Sequence, residues 1–281
     1  VIEEGRFGGP QARITHVAPP LRALGIETTV LLPKADSGAF RKALSESGTP
    51  FVPLPLHRLS KDKRDLAAYL LYFPLEVLAL YRTLRRLRPD VVHCNGAHQV
   101  KGAIAARLAS IPVVWHLNDT YGLGPIKKLF GAVARRCASG FIVASRKVYE
   151  TYLAGTAFTE LPCTEIHAPV DMHRFDPDTA AANPRISAHP GVKILNIANI
   201  NPIKGHEYLV DAAALINRDS AGVGFFIGGL ALESQLGYYR GIKARMEAQG
   251  VGNLAFLGPL DNVPGALKAA DIFILTSIAE A

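Results

Sequence analysis

Short, continuous apolar runs alternate with longer amphipathic ones along nearly the whole chain, and this alternation restricts the fold more than any other feature. The apolar runs cover residues 28–32, 51–54, 90–94, 112–117, 140–144, 163–167, 193–198, 223–228, 253–257 and 271–276. Most are unbroken rather than alternating with polar residues, which is how strands buried on both faces read. Helical periodicity covers 11–24, 37–45, 65–87, 99–108, 125–137, 146–153, 205–216, 235–249 and 263–269. Strand and helix in succession predict an α/β chain with parallel sheets and crossover helices. Val1 and Ile2 read as the end of one further strand.

The succession lapses once. Residues 171–192 are rich in Pro, Asp, Asn and Ala and have no sustained apolar period, the composition of a domain linker. Two domains are therefore expected, 1–175 and 176–281. Both ends read as cut, because no Met opens the chain and residues 277–281 follow directly on an apolar run. Cys94, Cys137 and Cys163 are the three cysteines. Their spacing suits neither a disulfide framework nor structural zinc, and a reducing compartment fits them best.

The net charge of +7 is basic but lacks the Lys and Arg runs of a dedicated nucleic-acid binder. Much of the excess is local: between His57 and Arg88, eight basic residues oppose three acidic ones. Such a patch points to an anionic surface or ligand. The most apolar stretch, 66–81, contains Pro74 and Glu76 and is shorter than the roughly 20 residues of a membrane span.

In open parallel sheets, ligands bind beyond the carboxyl ends of the strands, so the residues after each run are the candidates. Gly8 and Gly9 precede the first helix, where main-chain N–H groups approach a phosphate or simply make a turn. His116, Asn118 and Asp119 close the 112–117 run; they either orient a hydroxyl or phosphate or cap a turn. His93 and Asn95 admit the same two readings. Lys204 follows Asn199 at the start of a helix, a position that disfavours a cation unless an anion is shared there. Gly228 and Gly229 end the 223–228 run, and Glu280 follows the last run, placed to accept hydrogen bonds from sugar hydroxyls. No P-loop, nucleophile elbow, H-E-x-x-H or G-x-G-x-x-G pattern occurs, and no Cys/His cluster suggests a metal.

These pieces together resemble the family 4 retaining glycosyltransferases, over nearly all of the chain. The first half matches at Gly8-Gly9 and its helix, at 21–30, at Pro89-Asp-Val-Val-His93, at 140–145 and at Ala168-Pro-Val-Asp171 through Phe175-Asp-Pro177. The second half matches at Asn199-x-x-x-x-Lys204-Gly205, at Phe256-Leu-Gly258, at Val263-Pro264, and at Ala269-Ala270-Asp271 through Ser277-x-x-Glu280. The chain departs from the family pattern at Asn199, where an Arg is usual, and at Asn118-Asp119, where many members have His-Asp. Only the first Glu of the E-x7-E motif is present.

The resemblance implies a GT-B fold, two Rossmann-like domains facing across a cleft, the second incomplete. It implies an enzyme that moves a sugar from a nucleotide-sugar donor to a glycan, lipid-linked or small-molecule acceptor with retention. No cofactor and no metal are implied, the nucleotide-sugar being a co-substrate. His116, Asn118, Lys204 and Glu280 are the catalytic candidates; Gly8, Gly9, Asn199, Lys204, Gly228 and Glu280 are the donor-binding ones. The 58–88 region would suit an anionic membrane surface, so the expected location is cytoplasmic, peripheral at the inner membrane face, with no nucleic-acid partner. The alternatives are a non-catalytic binder of nucleotide-sugars or anionic surfaces on the same scaffold, and a nucleotide-sugar epimerase.

Overall fold

The structure, a computed structural model, describes residues 1–60, 62–120, 124–219 and 222–279. The chain divides into two compact units, Val1–Pro169 and Val170–Glu280, where the sequence reading sets the border at 175/176.

The first unit carries strands β1 (Val30–Pro33), β2 (Phe51–Leu54), β3 (Val92–Asn95), β4 (Val113–Leu117), β5 (Ala138–Val143) and β6 (Cys163–Glu165). β1 pairs with β2, and β3 to β6 pair in sequence order, all parallel. Val1 and Ile2 fill the place between these two groups. Ile2 N donates to Leu31 O (3.0 Å), Asn95 N to Val1 O (3.2 Å) and Val1 N to His93 O (2.6 Å). The spatial order is thus β2, β1, the Val1–Ile2 segment, β3, β4, β5, β6. The order reverses between that segment and β3, and in doubly wound sheets the ligand crevice opens at such a switch point.

The helices of this unit are α1 (Gly9–Ala23), α2 (Gly38–Glu46), α3 (Lys63–Leu87), α4 (Val100–Leu108), α5 (Gly124–Cys137) and α6 (Arg146–Tyr152). α3 starts where Asp62 accepts from the N–H groups of Arg64 and Asp65, and stops at Arg88 in the left-handed region with Pro89 behind it. Both are standard signals, a carboxylate N-cap and a residue that cannot continue the helix before proline. The main core centres on Trp115 and Phe130, both fully buried and in edge-to-face contact at 4.9 Å. Trp115 Nε1 donates to Gly96 O (2.7 Å), so the core also pins the loop that leaves β3.

The second unit holds β7 (Val192–Ile197), β8 (Val223–Gly228), β9 (Leu254–Gly258) and β10 (Ile272–Phe273), in the parallel order β10-β7-β8-β9. Its helices are α7 (Pro184–Ser187), α8 (His206–Asp219), α9 (Leu236–Ala248) and α10 (Val263–Ala269). Side chains alternate across a strand, which gives the sheet two cores. Phe225 and Ile227 meet Leu209, Val210 and Ile242 on one face, while Phe226 and Leu195 meet Ile186, Ala266 and Ala269 on the other.

Two elements differ from the sequence reading. The 171–192 linker contains α7, capped by Asn183 with Pro184 in its first turn and anchored by buried Ile186. A single turn with one apolar residue leaves no period to detect. β10 is shorter than 271–276 because the chain past Phe273 turns to other partners. Ile274 still pairs with Leu195, then Thr276 and Ile278 bond to the loop around Lys204.

Candidate functional site

In the first unit the switch point is occupied by residues from three elements. Arg13, one turn into α1, reaches the carboxyl ends of β3 and β4. Its Nη1 bonds to His116 Nε2 (2.7 Å) and Asn118 Oδ1 (2.6 Å), and its Nη2 to Asn95 Oδ1 (2.8 Å). Asn118 Nδ2 also donates to Asn95 Oδ1 (2.5 Å). Every described partner of this half-buried guanidinium is neutral, and burial alone lowers its pKa to about 10. A cation so placed lacks the carboxylate that normally offsets its desolvation. Beside it, the buried Nδ2 of Asn95 has no acceptor. Among the described residues, the guanidinium has no anionic partner and this amide no acceptor.

The guanidinium also fixes the histidines. Arg has only donors, so His116 Nε2 must accept, and its proton sits on Nδ1. That proton is then donated to His93 Nε2 (3.2 Å), whose ring stacks on His116 at 5.2 Å. Burial first, then the charge of Arg13, push the His116 pKa down to about 3. Both ring nitrogens of His116 are thus committed inside the protein, and the group it presents is Arg13.

Gly8, extended and without a side-chain cap, leads into α1 at Gly9, and the first turn carries no acid. A Cβ on Gly9 would meet nothing within 4 Å, so the space over this helix start is open.

Behind the crevice lies a buried ionic network. Lys101 is 0% exposed; its Nζ is 2.5 Å from Glu76 Oε2, 3.3 Å from Glu3 Oε2, 2.6 Å from His57 O, and 3.9 Å from the centre of the Tyr69 ring. Glu76 also bonds to His57 Nδ1. One ammonium serves two carboxylates, and burial raises the Glu3 pKa to about 7 against the pull of Lys101. The network ties α3 and α4 to the loops that follow the Val1–Ile2 segment and β2.

In the second unit, three loops meet at the carboxyl edge of the sheet. Asn201 caps a single 3-10 turn, Pro202–Lys204, through Ile203 N (3.0 Å). Lys204 therefore precedes α8 rather than starting it. Gly205 follows at φ +60°, and a Cβ there would lie 2.1 Å from Thr276 O; only glycine fits. Thr276 Oγ1 donates to Lys204 O (2.9 Å) and Ile278 N to Ile203 O (2.8 Å), so the Lys204 loop and the chain leading to residue 280 are held side by side. The third loop joins through Ile200 N, which donates to Leu230 O (3.0 Å). Asn199 is exposed. Gly228 makes room for Leu260 and Gly229 for the Ala198 carbonyl, so packing accounts for this glycine pair. Glu280 lies outside the described residues. Among the described residues, no three His, Cys, Asp or Glu side chains cluster as a metal set.

The geometry thus joins His116 and Asn118 in one unit and Asn199, Lys204 and Gly228 on one sheet edge in the other. Sequence reasoning missed Arg13. Its one signal is a basic residue a turn beyond a Gly-Gly helix start, which points back over the sheet only once the helix has docked.

Two Rossmann-like units with candidate sites at their strand ends agree with the GT-B fold of the solved structures this chain is similar to. A model of the glycosyl transferase 4-like domain matches residues 8–154, and the chain belongs to that family. It is 24% identical over 265 residues to an Escherichia coli protein, UDP-Gal:alpha-D-GlcNAc-diphosphoundecaprenol alpha-1,3-galactosyltransferase; the match covers 87% of this chain and 64% of that relative. The chain therefore spans less than two thirds of that relative's length. Among solved structures, it is similar to HepE of Anabaena in complex with UDP, with a TM-score of 0.77 and 22% identity over 98% of this chain and 73% of that one. A glycosyltransferase from Rickettsia africae follows, with a TM-score of 0.75 and 16% identity over 99% and 72% of the two chains.

Proposed function

We propose that the chain is the main part of a retaining glycosyltransferase that moves a sugar from a UDP-sugar to a lipid-linked acceptor without a metal. The observation that carries this reading is the Arg13 cluster, a half-buried cation whose described partners are all neutral, beside an open helix start. Family membership gives the reaction class. The UDP in the Anabaena neighbour and the diphosphoundecaprenol substrate of the Escherichia coli relative support the choice of donor and acceptor.

In the transfer, the bond from the sugar's anomeric carbon to the diphosphate oxygen breaks, the acceptor oxygen bonds to that carbon, and the acceptor's proton passes to the departing diphosphate. The departing nucleoside diphosphate gains negative charge. Preorganised donors aimed at such charge are worth roughly 10²–10³ in rate each. Lys204, on the second unit's sheet edge, is the group assigned to it here, and Arg13 with the N–H groups at Gly8–Gly9 is the first unit's own anion site. Asn118 and His116 hold Arg13 in place, Asn199 adds a neutral contact, and Glu280 takes sugar hydroxyls. A donor-binding protein that does not transfer is the second reading, favoured by the exposed amide of Asn199 where an Arg is usual.

Titration calorimetry with UDP tests the assignment. Arg13→Met and Lys204→Ala should each weaken binding by about tenfold or more, as expected for charged hydrogen bonds of roughly 1.5–3 kcal/mol; the melting temperature should change little in Lys204→Ala and fall in Arg13→Met, which leaves the acceptors of Asn95 and His116 unpaired. Unchanged affinity in both would reject this placement of the phosphates. UDP binding without UDP release from any UDP-sugar, with lipid-diphosphate acceptors present, would favour the second reading.

A further inference from the structure

In the first unit, a groove of about 390 Å³ runs between α5 on one side and the end of α6 with the 3-10 turn Ala157–Glu160 on the other. That volume lies at the lower end of the range for small-molecule sites, ~300–1,000 Å³. Phe130 and Tyr152, buried core rings with centres 5.5 Å apart, form its floor. Its lining carries three cations, Lys127, Lys128 and Arg135, and no carboxylate. α5 itself contains no Asp or Glu, and the one acid of α6, Glu150, pairs with Arg146 (3.5 Å). Among the described residues, none of the three cations forms an ion pair. Lys127 Nζ stands 5.5 Å from the centre of the Tyr152 ring, a contact that offsets a cation only weakly. Burial and the Asp119 carboxylate push the Tyr152 phenol up to about 12, so the floor itself stays neutral.

Gly131 is an independent observation. It lies in the middle of α5, where glycine is less favourable than alanine. A Cβ there would meet nothing within 4 Å, so packing does not require it. Lys127, Gly131 and Arg135 follow at four-residue spacing and share one line along the helix. The absent side chain leaves a notch between two cations about 12 Å apart along the axis. On the facing wall, Thr151 Oγ1 donates to Lys147 O (2.8 Å), which leaves its lone pairs to accept.

Cations for an anion, an acceptor for hydroxyls and aromatic faces for C–H surface are complementary to an anionic sugar. A bare anion would leave the floor unused, and a neutral sugar would leave the cations uncompensated. We propose that this groove binds a monosaccharide-sized anion, a sugar carrying a phosphate or a carboxylate. Lys127, Lys128 and Arg135 surround the charge, Thr151 accepts from a ring hydroxyl, and Gly131 gives the ring room. None of these residues belongs to the Arg13 cluster or the Lys204 edge, so this site stands or falls apart from the transferase reading.

The test is titration calorimetry of the chain with glucose 1-phosphate, glucuronate, inorganic phosphate and glucose. At least one anionic sugar should bind tenfold or more tightly than phosphate and glucose, each of which offers only part of the contacts. Glucose 1-phosphate as the tighter ligand would assign the groove to a free sugar phosphate, and glucuronate to an acidic unit of a glycan. Lys127→Gln/Arg135→Gln should weaken that binding at least tenfold, as loss of charged hydrogen bonds does. Gly131→Leu, which fills the notch, should abolish it. Both variants should keep the parental melting temperature, since none of these positions carries an ion pair or fills the core, and the parental affinity for UDP. No binding of either anionic sugar, phosphate binding as tight as theirs, or parental affinity in Gly131→Leu would overturn the proposal. So would loss of their binding in Lys204→Ala, which would move the ligand to the second unit's sheet edge.

Discussion

At the scale of single residues, Arg13 organises the first unit's site by what it cannot do. Because a guanidinium never accepts a hydrogen bond, it sets the tautomers of His116 and His93 in turn. The low pKa of His116 has a measurable consequence. Its folded value, about 3, lies below the ordinary value near 6.5, so the unfolded chain takes up a proton that the folded chain refuses. Stability from this residue is complete above about pH 6.5 and is lost as the pH falls toward 3. Urea unfolding at pH 7 and pH 4.5 should show a smaller drop in His116→Asn than in the parent; an equal drop would place the proton elsewhere. His116 and Asn118 were legible as strand-end polar residues. Arg13 was not, because nothing in a helix's own text says which of its faces overhangs a sheet.

At the scale of elements, the buried network shows how loops and helices are fastened. Lys101 serves Glu3 and Glu76 at once, but unequally, since the raised pKa of Glu3 lets it hold a proton near neutral pH. Removing the shared cation strands the buried Glu76 carboxylate and takes its ion-pair partner from Glu3. Lys101→Met should therefore cost about 3–5 kcal/mol, and Glu3→Gln under about 1 kcal/mol because a protonated Glu and a Gln are near equivalents. Chemical denaturation checks both, and similar losses in the two variants would contradict the unequal sharing. The strands and helices were legible because both faces of each sheet are covered, so their runs are bare and bounded by turn residues. The network was not: Glu3, Glu76 and Lys101 are far apart in sequence and read as ordinary charges. Nor did the sequence separate Arg58 from the other cations of its segment, since its pairing with Glu4 and Asp65 depends on how two loops come together.

At the scale of the whole molecule, each unit closes its own cores. Phe130 touches the rings of Trp115, Phe141, Tyr152 and Phe158. Phe130→Ala should cost about 3–5 kcal/mol. In hydrogen exchange it should speed amides of β4 and β5 while leaving β7 and β8 at their parental rates; loss of protection in both units would show one cooperative fold instead. The resemblance to family 4 was carried by spaced motifs and holds for the fold, whereas the geometry behind those motifs needed the structure.

The hydrogen bonds of Val1 and Ile2 join β1 to β3 across the middle of the sheet. Unzipping that seam would leave two half-sheets with facing raw edges, and bare parallel edges recruit strands from neighbouring molecules. That inner segment therefore stands between an orderly interior layer and polymerisation.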